Sequence, residues 1–210
     1  MYLWAARNQT RRGAGAEAAA YMAEVRDLVS SIADTPFWAW AGVAGVPLGT
    51  MYMSARLESM EHYMGATQAI TANADYLALI RSGADLLDGP TETAFNQVIG
   101  MAGELGSDPS PMVVVTMATA APGRQMDAIT WGVDMLDYSS ELTAASGLFT
   151  MAAVGNISEV SWIQNHDDAA SIDRTMAKLM PDAGYQERMS RAGTLFVAGS
   201  GQRIVMAKLP

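Results

Sequence analysis

The residues that could carry chemistry are few. There are two histidines, no cysteine, and serines without the Gly-x-Ser-x-Gly spacing of a nucleophile elbow. His62 stands in Glu61-His62-Tyr63 near the start of a helical pattern, where a boundary residue is the simpler reading. His166 belongs to Gln164-Asn165-His166-Asp167-Asp168, a polar cluster at the junction of a strand and a helix. An imidazole beside carboxylates can act as a general base. The plainer alternative is that Asp167 and Asp168 only cap the next helix. Adjacent residues do not converge on one centre, so a dedicated metal site is not expected. Either histidine could formally ligate a haem iron, but no cofactor is expected. Arg11-Arg12-Gly13-Ala14-Gly15 before a helix could cradle a phosphate, yet it lacks the lysine and the third glycine of such loops and reads as a plain connection.

The aromatic residues are the other candidate set. Tyr2 and Trp4 share one face of a predicted strand, Trp38 and Trp40 one face of the next, and Tyr52 lies on a third. Trp162 lies on the corresponding hairpin further on. They either fill a core or line an apolar pocket with Arg7, Asn8, Arg56 and Asn165 at its rim. In the pocket reading Trp4, Trp38, Trp40, Tyr52, Trp162 and Asn165 bind the substrate, while His166 or Arg56 orients or activates its polar group.

Composition narrows the function classes. Half of the 210 residues are hydrophobic and 17% are charged, as in a folded globular protein. A formal charge of −9 with no basic run disfavours nucleic acid and anionic membrane surfaces as partners. Without cysteine there are no disulfides, thiolate metal sites or thiol nucleophiles. No apolar run is long enough for a membrane helix, and Met1-Tyr2-Leu3-Trp4 lacks the basic start and long core of a signal peptide. The expectation is a cytoplasmic protein without membrane insertion. Sixteen methionines suit a core or the interface of a homo-oligomer.

These residues need a scaffold, and the apolar pattern describes one. Strands are predicted at Met1–Ala6, Phe37–Val43, Thr50–Leu57 and Thr93–Ile99. Helices are predicted at Ala16–Ala33, with Tyr21, Val25, Leu28, Val29 and Ile32 on one face, and after Ser59, with Tyr63, Met64, Thr67 and Ile70 inward. Asn73 and Asp75 predict a break and a fresh cap before a further turn carrying Tyr76, Leu79, Ile80 and Leu87. Met101–Pro111, rich in Gly, Ser, Asp and Pro, reads as a linker. The order then repeats: strand Met112–Met117, helix Gln125–Ala144 with Met126, Ile129, Val133 and Leu136 at helical offsets, hairpin Leu148–Val154 and Val160–Asn165, helix Ser171–Met180, a segment capped by Asp182, and strand Arg203–Leu209. Met51–Leu87 and Val160–Phe196 share an apolar pattern at a spacing of 109 residues without a gap. Arg56-Leu57-Glu58 in the first copy faces Asn165-His166-Asp167 in the second.

The expected architecture is α+β: two tandem ferredoxin-like (βαββαβ) repeats, 1–100 and 112–210 with 101–111 between them, packed sheet to sheet as a pseudo-dimeric barrel. The passage GVPLGTMYMSARLESMEHYMGATQAITANADYLALI resembles the dimeric α+β barrel superfamily, in particular its NIPSNAP-like and antibiotic-biosynthesis-monooxygenase-like members. That resemblance implies a small-molecule site between a sheet and its helices. It implies a cofactor-independent monooxygenase or an isomerase-like enzyme acting on an apolar substrate. A non-catalytic protein that forms a homo-oligomer or docks on a larger complex is the alternative. The resemblance transfers no catalytic residue.

Overall fold

The computed structural model describes residues 1–210, in two compact units: 1–96 with 207–210, and 97–206. In the first unit β1 (Tyr2–Thr10) pairs antiparallel with β3 (Thr50–Leu57), which pairs with β2 (Phe37–Ala44). Helix α1 (Gly15–Ala33) buries Ala18, Tyr21, Met22, Val25 and Val29 on the sheet, the stripe expected from its period. It ends where Asp34 takes a left-handed conformation (φ 48°) and the next residue precedes proline. Ser59 caps α2 (Met60–Ala72) by accepting from the His62 amide. Asn73 then ends α2 and caps α3 (Ala74–Ser82) through the Tyr76 amide, the break anticipated there.

Strand β4 (Leu87–Ala102) is longer than predicted, and its first residues belong to this unit. Leu87 opens that strand instead of closing a helix, because Gly83 and the turn after it stop α3. β4 also continues through Met101 and Ala102, into the stretch read as a linker. Strand β1 likewise runs on through Arg7-Asn8-Gln9-Thr10, read from sequence as loop. Partners across the strand hold these polar residues: Arg7 pairs with Glu92 at 3.0 Å and Asn8 accepts from Thr91 at 2.6 Å. Met64 is exposed, not inward, and Ala66 is the buried residue of α2.

The second unit has the same element order. β5 (Met112–Thr119) pairs with β7 (Glu159–His166), which pairs with β6 (Gly147–Ala152). Helices α4 (Gln125–Thr143), α5 (Ala169–Leu179) and α6 (Ala183–Ala192) follow their strands as α1 to α3 do, and β8 (Gln202–Lys208) ends the sequence. The buried face of α4 is Ala128, Trp131, Met135, Leu136 and Ser139, and Met126 is exposed. Asp168 and Ser171 form a reciprocal capping box on α5, and Asp182 caps α6 through the Tyr185 amide. Each unit joins an antiparallel sheet to its helices, so the protein has the α+β class expected.

Candidate ligand cavity

The helix-facing layer of each sheet is built from different residues. In the first unit it is packed with aromatic rings. Tyr2 stacks on Phe95 at 4.9 Å, Tyr63 meets Phe95 at 5.0 Å, and Trp4 stands edge-on to Phe37 at 5.8 Å. In the second unit the β-ladder places Val114 opposite Gln164 where the first places Trp4 opposite Ala55. A cavity of about 380 Å³ lies there, between the β5–β7 face and helices α4, α5 and α6.

Its wall is a cluster of interlocked rings. Trp131 meets Trp162 edge-on at 5.6 Å, and Phe196 stands edge-on to both, at 5.4 and 5.8 Å. Each indole is anchored, since Trp131 Nε1 donates to the Arg188 carbonyl at 3.0 Å and Trp162 Nε1 to the Gly132 carbonyl at 2.9 Å. Those bonds hold the ring planes and leave their faces for contact. Met135, Met176 and Met189 supply adaptable apolar surface. Polar groups are sparse: the Thr116 hydroxyl, the Gln164 amide, the Tyr185 phenol, the Arg203 guanidinium and the Ser139 hydroxyl, which is spent on the Met135 and Leu136 carbonyls of its own helix. An apolar pocket, open on one side, with a few convergent polar groups is the form of a small-molecule site.

The residues named from sequence divide among several places. Trp162 lines this cavity. Trp4 is on the helix side of the first unit's sheet, packed on Phe37. Trp38, Trp40 and Tyr52 lie on the opposite face of that sheet. There Trp40 Nε1 donates to Ser54 at 2.9 Å and the Arg56 guanidinium sits 5.3 Å from the centre of the Trp38 ring. Strand alternation separates Trp4 from the Trp38–Trp40 set, so one pocket does not collect them all.

His166 and Asn165 border a second, polar cleft of about 270 Å³, with Ser110, Arg174 and Lys178. His166 is buried, and burial holds its pKa below the ordinary imidazole range while Asp167 opposes the shift. Its Nδ1 lies 3.5 Å from the Ser171 hydroxyl, whose own proton goes to the Asp168 carbonyl at 2.7 Å. Asn165 donates to Ser146 at 3.2 Å. Asp168 is used as a cap, the plainer of its two sequence readings. His62 has a structural part: Nε2 lies 2.9 Å from the Thr35 hydroxyl, which joins the end of α1 to the start of α2. No group of three or more His, Asp or Glu side chains comes together to hold a metal. Nor does any helix have the length and apolarity to cross a membrane.

Sequence reasoning passed over Trp131, Phe196, Gln164 and Arg203. A signal for Trp131 was present, since Ala128, Trp131, Met135 and Ser139 repeat at the spacing of one helical face. Phe196 and Arg203 carried none, because a turn and the last strand bring them to the site.

No protein-family model matches the sequence, and no curated protein matches it. Solved structures do match the fold. A provisionally named monooxygenase from Fusobacterium nucleatum is 8% identical with a TM-score of 0.76, covering 100% of this chain and 92% of its own. An anthrone oxidase-like protein is 11% identical at a TM-score of 0.68, over 100% and 91%. A protein described as a major regulator of staphylococcal pathogenesis is 7% identical at 0.59, over 99% and 98%. The names differ while the architecture is shared, so what this chain has in common with these proteins is the α+β fold.

Proposed function

We propose that this protein binds an apolar small molecule in the cavity of its second unit. The observation that carries the reading is the anchored Trp131–Trp162–Phe196 wall around about 380 Å³, with polar groups confined to a few positions. Oxygenase chemistry on that molecule is the finer proposal, supported by the names of two of the fold neighbours, with isomerase-like chemistry as its alternative. In that proposal Tyr185 is the residue in the cavity able to exchange a proton, and His166 serves from the adjoining cleft. The matched positions of β3 with β7 and α2 with α5 support a tandem duplication of NIPSNAP-like or antibiotic-biosynthesis-monooxygenase-like kind, with repeats 1–100 and 112–210 joined by 101–111.

Native mass spectrometry of the purified protein, followed by denaturing extraction, tests the binding reading. A released apolar molecule is expected, and Ala192→Phe, which adds a ring to the wall, is expected to exclude it. An Ala192→Phe variant that folds and retains the molecule refutes the site. Oxygen uptake on adding the released molecule tests the oxygenase proposal.

Assembly of like copies is a second reading. It rests on apolar residues at both hairpins: Val43 at the end of β2 and Leu48 after it, and Val154 and Ile157 after β6, all exposed. The same spectra report the oligomeric mass, and a monomer would remove this reading.

A further inference from the structure

Arg203 stands at the edge of the cavity. It comes from β8, and its Nε donates to the Thr116 hydroxyl at 3.1 Å while one terminal nitrogen lies 3.5 Å from the Met176 sulfur. Both partners are neutral, and the sulfur is a weak acceptor. The ion pairs of this unit engage Arg124, Arg174 and Arg188, and none engages Arg203. A guanidinium has five N–H donors, so most of its capacity faces outward from these contacts. Gln164, also on the cavity wall, makes no side-chain hydrogen bond to the protein. The ring cluster thus has a charged edge with no anion of its own.

We infer that the ligand is an amphipathic organic anion, its flat apolar body held by Trp131, Trp162 and Phe196 and its carboxylate, sulfonate or phenolate on Arg203. This rests on the binding reading above and adds to it the chemical class of the ligand. A neutral hydrocarbon would leave the guanidinium hydrated at the mouth and gain nothing from it. An anion there forms charge-assisted hydrogen bonds, which are roughly twice as strong as neutral ones. Thr116 and Met176 hold the guanidinium over the cavity in advance, so less side-chain entropy is lost when the anion arrives. Gln164 can donate to the same group or to a carbonyl on the body.

The test compares two fluorescent probes on the full chain: 1-anilinonaphthalene-8-sulfonate and its uncharged parent, N-phenyl-1-naphthylamine. Quenching of tryptophan emission reads both. The sulfonate is expected to bind about tenfold more tightly than the parent, from about 1.4 kcal/mol of charge-assisted bonding. Arg203→Gln is expected to erase that preference and leave the parent's affinity in place, and Arg203→Lys to keep part of it. Arg203 is exposed, so neither substitution removes a core contact. Equal affinity for both probes in the unaltered protein, or a preference that survives Arg203→Gln, overturns the inference and leaves the cavity standing. Binding of neither probe overturns the cavity reading and the inference together. Binding that Ala192→Phe does not weaken places the probes elsewhere, with the same consequence.

Discussion

Gly132 is a test of how tightly the cavity wall is built. It lies inside α4, where alanine is ordinarily better by about 1 kcal/mol because glycine has more backbone freedom to lose. Here a methyl group would enter the ring of Phe149, meeting three of its carbons. Phe149 is fully buried, and Trp162 at 5.0 Å together with Leu136 and Val160 closes off its retreat. Overpacking of this kind costs about 1–3 kcal/mol. With no free direction for the ring the upper end applies, so Gly132→Ala is expected to be destabilising by about 2 kcal/mol net of the helix gain. For a chain of this size that lowers the melting temperature by about 4–8 °C. Gly65→Ala is the control: it also lies within a helix, α2, and its added methyl meets nothing within 4 Å. It is expected to be stabilising by about 1 kcal/mol. Urea unfolding followed by tryptophan fluorescence measures both. If Gly132→Ala matches or exceeds the unaltered protein in stability, the packing argument for the wall is refuted.

Two further outcomes are expected. The depressed pKa of His166 means that the unfolded chain binds its proton more readily than the folded one. Its contribution is complete above the ordinary imidazole range and is lost as pH falls through that range toward the folded value. The stability of His166→Asn, measured by urea midpoint across that interval, should fall less steeply with acid, and an unchanged slope would count against the buried neutral imidazole. Trp4 Nε1 is buried without a partner, whereas Trp131 Nε1 has the Arg188 carbonyl. Trp4→Phe removes an orphan donor, and Trp131→Phe removes a bond of about 1 kcal/mol and leaves an acceptor short. Trp131→Phe should therefore be the more destabilising of the two in thermal melts, and the reverse order would show that indole volume, not the donor, governs both sites.

The elements were largely legible in the sequence because their causes are local. The Tyr21–Val25–Val29 stripe, the caps at Ser59, Asn73, Asp168 and Asp182, and the hairpins at Gly45–Gly49 and Gly155-Asn156 each act within a few residues. Errors fell where a partner across the sheet overrides local character. Arg7 to Thr10 are polar enough for a loop, yet they are strand because β3 and the start of β4 supply partners. β4 also runs on through Met101, and Leu87 begins it because Gly83 and the turn after it stop α3.

The candidate site was barely legible. Period alone assigns Trp4, Trp38 and Trp40 to faces but does not say which face meets the helices, and the two faces lead to different places. The sequence by itself determined that there would be two similar α+β halves with aromatic-rich sheets and a polar junction at His166. Only the tertiary structure decided that one helix-facing layer is filled by Tyr2, Tyr63 and Phe95 while the other leaves a cavity beside Trp131, Trp162 and Phe196. The reason is volume. Whether a layer closes depends on side chains brought together from five or six separate elements, and no spacing along the chain records that sum.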